Sequence, residues 1–257
     1  MTVALFAFTD AHKRQFHDEG FVVLESVIRP ADLAMLRDCC TERIRAVEAE
    51  MDEAGTDSMG LNHRGKRYFM GAPEKTHPAM WDFYFSDMTA QIVGGTLGPN
   101  AFLFAAQYTV KCAESGLKFA WHQDSAYVQI SHRPTVNLWC TLDDMSQENG
   151  TLYLLPCSRA GTRKLLEHRR DADNDRVGYF GDDPGDPLNV PAGSIVAFGS
   201  LLFHRSGPNR SARPRRAITV EYTPEPIIDP QTGETFLQAE PFLKNGQRID
   251  ARSHHAS

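Results

Sequence analysis

Apolar positions along the chain fall into two regimes. Over the first third they recur every three to four residues, the spacing of amphipathic helices. Thr9-Asp10-Ala11-His12 offers an N-cap and Gly20 a stop, so a short helix is expected between them. Phe21-Val22-Val23-Leu24 is a β-branched run that reads as a buried strand. Pro30-Ala31-Asp32 then opens a second helix, in which Leu33, Leu36, Cys40 and Ile44 share a face, running to about Asp52. Residues 55–78 mix Gly, Pro, His and basic side chains without a period, and 79–97 read as one further amphipathic helix closing at Gly98-Pro99. From residue 100 the period shortens. Runs rich in β-branched and aromatic residues at 101–110, 119–130, 135–142, 151–155, 194–203 and 215–223, separated by turn residues, predict a sandwich or barrel of jelly-roll type. The expected organisation is one domain over 1–257: a helical front (about 9–97), a mainly β core (about 100–223) and a tail (224–257) with little apolar mass. The polar stretch 167–189 is too long for a tight turn and is expected to be a mobile loop. Its aspartates and glycines surround Val177, Tyr179 and Phe180, the composition of a lid.

Composition narrows the class. Of 257 residues, 41% are hydrophobic and 23% charged, an ordinary globular balance that excludes disorder. Lys+Arg 27 against Asp+Glu 33 gives a net charge of −6, the wrong sign for binding nucleic acid or anionic lipid. Five cysteines without a CxxC spacing argue against a disulfide framework or a thiolate zinc site and fit a reducing compartment. No apolar run approaches the roughly 18 residues of a membrane helix, and no secretory signal opens the chain. A cytoplasmic protein acting on a small molecule is expected, with no membrane, nucleic-acid or obligate protein partner.

The chemistry concentrates at Trp121-His122-Gln123-Asp124. In an extended segment residues i and i+2 project to one face, so His122 and Asp124 point together and Gln123 points away. An imidazole and a carboxylate on one face make two-thirds of the 2-His-1-carboxylate triad of non-haem Fe(II) oxygenases. Such a triad leaves three positions open, two for a bidentate 2-oxo acid and one for dioxygen. His204 is the best third ligand, because it follows the apolar runs 194–199 and 201–203 where a core strand would emerge. Ser206 shares its face by the same alternation. Arg215 and Arg216 open the next strand, and an arginine inside a strand calls for an anion such as the distal carboxylate of a dicarboxylate co-substrate. Only one of the two faces inward.

These stretches resemble the phytanoyl-CoA dioxygenase family of Fe(II)/2-oxoglutarate oxygenases over roughly residues 9–223. Asp18-Glu19-Gly20-Phe21-Val22-Val23 resembles its opening helix and strand, Trp121 to Asp124 its metal motif, Trp139 with Glu148-Asn149-Gly150-Thr151-Leu152 its central segment, and 204–218 its closing one. The resemblance implies a double-stranded β-helix (jelly-roll, cupin-like) core behind an N-terminal helical layer, using Fe(II), 2-oxoglutarate and O2. It implies His122, Asp124 and His204 as iron ligands, and Arg215 and Ser206 as anchors of 2-oxoglutarate, with Gln107 and Trp139 lining that pocket. Asn209 falls where the family often has a polar residue. Asp124 separates the chain from halogenating relatives, in which a small residue vacates that position. Pro156-Cys157-Ser158-Arg159 departs from the family's Pro-Gly-Ser-His, which changes a turn and a supporting contact. The reaction expected is hydroxylation of an unactivated C–H bond in a small molecule such as a specialised metabolite. The rival is a cupin-like binding protein whose metal is structural or zinc. Two further patterns carry less: Asp171, Asp173 and Asp175 open a calcium-loop spacing that Arg176 and Asp182 break, and His63-Arg64-Gly65-Lys66-Arg67 is either a solvated loop or a holder of an anionic substrate.

Overall fold

The computed structural model describes residues 6–114, 118–170 and 176–249. The first helix, Asp10–Glu19, starts where Thr9 Oγ1 accepts the N–H of His12 while the His12 ring accepts that of Thr9. It stops at Gly20, whose left-handed backbone (φ 83°) returns its N–H to Phe16. Pro30 sits in the first turn of Pro30–Glu53, which buries Leu36, Cys39, Cys40, Val47 and Met51.

The single helix expected over 79–97 is two, Ala79–Tyr84 and Asp87–Thr96. Between them Ser86 turns extended and accepts the Thr89 N–H on its hydroxyl, a fresh N-cap inside an apparently continuous apolar period. The aperiodic 55–78 holds three short strands, Ser58–Met59, Asn62–His63 and Arg67–Gly71. The strand expected over 119–130 covers only Phe119–His122, because the chain coils into a single 3₁₀ turn at Asp124–Tyr127. The tail also carries more structure than its composition implied: Glu240–Lys244 pairs with Ala101–Lys111 and buries Phe242 and Leu243.

The strands form two principal sheets with antiparallel pairing throughout, giving the mainly β architecture behind an N-terminal helical layer. The larger runs Phe21–Leu24, Ile195–Gly199, Val136–Thr141, Arg215–Thr223, Ala101–Lys111, Arg67–Gly71, Asn62–His63, Ser58–Met59. The smaller runs Asp186–Pro187, Leu152–Leu155, Phe203–Ser206, Phe119–His122. Strand alternation divides the apolar mass in two. Tyr108, Val110, Ile218, Val220 and Tyr222 face outward and pack on Leu36, Met80 and Ile92 of the helices. Trp139, Leu152, Leu154, Val196, Phe198 and Ala217 fill part of the space between the sheets. Tyr108 and Tyr222 keep their hydroxyls satisfied on the Leu36 and Tyr84 carbonyls at 2.9 and 2.7 Å.

The inner face of the two central strands is not filled. Gln107, Thr109, Thr219 and Glu221 are only half-buried although they sit mid-sheet and their outward neighbours are sealed. An open polar cleft therefore lies between the sheets. No helix among the described residues is long and apolar enough to cross a membrane.

Candidate active site

His122 ends one strand of the small sheet and His204 lies directly opposite it on the next. Their rings stand 4.2 Å apart between centroids. Gln123 stays extended (φ −118°, ψ 133°), so the alternation survives one residue past the strand and delivers Asp124 to the face of His122. Asp124 Oδ1 lies 3.5 Å from Nε2 of both histidines. The three ligand atoms fall within 4.8 Å of one another, the span of one metal's coordination shell. Gln123 points the other way and is fully used: its side chain bonds the Lys164 and Leu201 carbonyls and the Leu166 N–H.

Each histidine is set for a cation. Nδ1 of His122 meets the Ala120 carbonyl at 2.8 Å and Nδ1 of His204 the Leu202 carbonyl at 3.1 Å. A carbonyl only accepts, so both Nδ1 atoms carry the proton and both Nε2 atoms are turned toward Asp124. Burial pushes His204 down to about 4, partly opposed by Asp124, which keeps the ring neutral. Burial works against ionisation of Asp124, but His204, His122 and the bond from Asn137 outweigh it and hold the carboxyl below its usual range. Asn137 Nδ2 donates to Asp124 Oδ2 at 2.6 Å and fixes the carboxylate plane.

Deeper along the same inner face the charge changes sign. Arg67, Lys111 and Arg215 pair side by side on three adjacent strands. Arg215 is 2% exposed and Lys111 4% exposed. Arg215 spends one N–H on the Gly150 carbonyl at 3.1 Å, and its Nε and Nη1 are buried without a partner. Its guanidinium lies 5.7 Å from the Trp139 ring centroid. Lys111 Nζ donates to Ser206 Oγ at 2.7 Å and to the Gly207 carbonyl. Desolvation pushes Lys111 well below its ordinary value, with Arg215 and Arg67 adding to the effect, and pulls Arg215 to about 10. Buried cations with orphaned donors are costly unless an anion completes them.

The residues singled out in the sequence thus converge. His122, Asp124 and His204 cluster, Arg215 faces inward, and Ser206 lies beside it through Lys111. Gln107 and Trp139 flank Thr219 on one rung. Arg216 faces out, where it holds Asp143 through Nε and Nη2 at 3.0 and 2.7 Å. Asn209 is structural: its amide bonds the Lys111 and Arg213 carbonyls. Arg159, where the family motif departs, grips Asp183 at 2.6 Å and Asp186 at 2.8 Å. Part of the expected mobile loop is accordingly tied down. Arg169–Arg170 pairs with Arg176–Val177, and Tyr179 packs on Trp121 and Phe203 while Phe180 stays exposed. Asp171, Asp173 and Asp175 lie outside the described residues. In the basic run, Arg64 pairs with Asp52 and Asp57, and Arg67 reaches the rim of the cationic end. Lys111, Asn137, Gly150 and Glu221 were not foreseen as site residues. Parity with Arg215 was the available signal for Glu221, since positions 215, 217, 219 and 221 share a face.

The described geometry matches known proteins. Residues 16–217 fit the phytanoyl-CoA dioxygenase (PhyH) family model. A 2-aminoethylphosphonate dioxygenase of the uncultured bacterium HF130_AEPn_1 is 26% identical, covering 97% of this chain and 95% of its own. A methylphosphonate hydroxylase of Gimesia maris is 24% identical over 83% of this chain and 80% of its own. Among solved structures, EvdO2 from Micromonospora carbonacea var. aurantiaca, complexed with 2-oxoglutarate, superposes with a TM-score of 0.69 at 22% identity, covering 92% of this chain and all (100%) of that one. The chain belongs to the phytanoyl-CoA dioxygenase family and is an Fe(II)- and 2-oxoglutarate-dependent oxygenase that consumes O2.

Proposed function

We propose that this enzyme hydroxylates an unactivated C–H bond of a small polar molecule, a specialised metabolite, at the cleft between the two sheets. The carrying observation is the buried cationic end: Arg215 has two orphaned donors on the inner face that also bears His122, Asp124 and His204. A metal held only for structure needs no such partner, which disfavours the cupin-like binding protein. A thiolate-free donor set with two neutral imidazoles and one carboxylate suits Fe(II).

In this reading His122, Asp124 and His204 hold the iron, and Arg215, Ser206 and Lys111 receive the distal carboxylate of 2-oxoglutarate. Once bound, iron and 2-oxoglutarate supply the activation of dioxygen for C–H hydroxylation, with succinate and CO2 as co-products. The chain's own part is placement. The Ala120 and Leu202 carbonyls fix both imidazoles, Asn137 fixes Asp124, and the Gly150 carbonyl fixes Arg215. Trp139 walls the pocket, and Gln107 and Thr219 give its floor hydrogen-bonding groups. A floor of Gln, Thr and Glu suits a polar substrate better than a long acyl chain.

Anaerobic titration with Fe(II) and 2-oxoglutarate tests the reading. A weak visible charge-transfer band is expected, together with 2-oxoglutarate turnover to succinate in air. Ala at His122, Asp124 or His204 should abolish both while circular dichroism shows a folded protein, because the strands assemble the site without metal. Substantial turnover in the His204 variant would remove that residue from the triad.

A further inference from the structure

The cleft has a second polar end whose acceptor oxygens are not spent on holding iron or 2-oxoglutarate. Glu221 and Asn137 lie directly opposite each other on neighbouring strands of the large sheet, a relation that brings Cβ atoms to roughly 4.5–5.5 Å. Asn137 spends its amide N–H on Asp124, and its Oδ1 is buried with no hydrogen-bond partner. Among the described residues no hydrogen bond or ion pair reaches the Glu221 carboxyl. The carboxyl is half-buried at the open part of the cleft. Burial, and the Asp124 carboxylate after it, push its titration up, and no basic residue acts on it in the opposite direction. It is not a fourth metal ligand, since the cluster of ligand atoms comprises His122, Asp124 and His204 alone.

We infer that Glu221 and Asn137 together form a recognition point for an ammonium group, making the substrate an amine bound with its cationic nitrogen at this end of the cleft. This rests on reading the cleft as the oxygenase site. The buried Asn137 Oδ1 only accepts, so a ligand must donate to it, and the carboxyl opposite, held toward its neutral form by burial and by Asp124, becomes an acceptor-only carboxylate when a cation stands beside it. A hydroxyl would satisfy Asn137 Oδ1 but brings no charge to draw the Glu221 carboxyl into its ionised form. An ammonium brings three N–H donors and the missing charge at once. The placement fits as well. Six residues of one strand separate Arg215 from Glu221, about 20 Å at roughly 3.3 Å per residue. The anionic co-substrate and the cationic group of the substrate thus meet opposite ends of the inner face, with the metal cluster nearer the Glu221 end through Asn137.

The test uses the whole protein loaded anaerobically with Fe(II) and 2-oxoglutarate. The probes are primary amines, among them alkylamines, amino alcohols, amino acids and amino sugars, each paired with its N-acetylated and hydroxyl counterparts. Binding is read from perturbation of the visible band and from calorimetry. At least one amine should bind about tenfold or more tightly than both counterparts, as a charge-assisted contact requires. Glu221→Gln, close to isosteric, should erase that preference while leaving 2-oxoglutarate affinity and the band unchanged. Equal affinities across all pairs, or a preference that survives in Glu221→Gln, would overturn the inference. A protein that shows no band at all would instead sink the oxygenase reading, so the two failures are distinguishable.

Discussion

Arg215 and Arg216 are sequence neighbours with opposite surroundings. Arg216 faces the helical layer and is paired with Asp143, whereas Arg215 is sealed between the sheets with two donors unspent. Arg215→Ala should raise the Michaelis constant for 2-oxoglutarate at least about tenfold, the effect of losing a contact of about 1.5–3 kcal/mol. Arg216→Ala should leave it unchanged, and steady-state kinetics of both variants check the assignment. Lys111 adds a proton to the same event. Facing Arg215, Arg67, Ser206 and the Gly207 carbonyl, its amine is held well below the ordinary 10.5, by burial first and by Arg215 and Arg67 after it. A bound carboxylate restores the ammonium, so 2-oxoglutarate binding should take up protons and tighten as pH falls between the ordinary and the depressed value. Calorimetry at a series of pH values below the ordinary 10.5, in buffers of different ionisation enthalpy, should show that uptake in the wild type and none in Lys111→Met. The clustering of His122, Asp124 and His204 and the inward face of Arg215 were legible in the sequence because an H-x-D in an extended segment and an arginine in a strand are each chemically loaded. Lys111 was not, and Glu221 showed only through its parity with Arg215. A charged residue in a strand reads as solvent-facing until cross-strand register shows what lies opposite, and register is a long-range property.

At the scale of elements, alternation predicted more than strand length did. The 119–130 run coils after His122, yet extended Gln123 carries the alternation far enough to place Asp124. The expected 79–97 helix breaks because Ser86 caps a new start, a local hydrogen bond that apolar periodicity cannot register. The turn at Gly150 links two anchors. Its backbone is left-handed (φ 79°), and a Cβ there would come within 2.6 Å of the Gly207 oxygen and 2.9 Å of Pro208. The Gly150 carbonyl holds Arg215, and the Gly207 carbonyl holds Lys111. Gly150→Ala should therefore displace both cations together. The expected signature is several-fold weaker 2-oxoglutarate binding with Fe(II) affinity intact, measured in separate anaerobic titrations. Equal weakening of both would indicate general unfolding of the sandwich instead.

Across the whole molecule, the helical layer seals one face of the large sheet, and the small sheet leaves the other partly uncovered. The sequence foretold this division, since the change of apolar period near residue 100 marks where helices give way to sheets. It missed the edge strands at 58–71 and the docking of Glu240–Lys244, both too short for periodicity to detect. Exposure along the inner face of the central strands is graded. Lys111 and Arg215 are sealed, while Gln107, Thr219 and Glu221 remain reachable from solvent. That gradient imposes a sequence of events. A molecule bound for the sealed end must pass the open end first, and a substrate resting at Glu221 would stand in the doorway. The kinetics should accordingly be compulsory-ordered, with 2-oxoglutarate first and substrate second. Labelled 2-oxoglutarate, prebound and then chased with excess unlabelled compound, should be committed to product in proportion to the substrate present, and free exchange at saturating substrate would show a second way in.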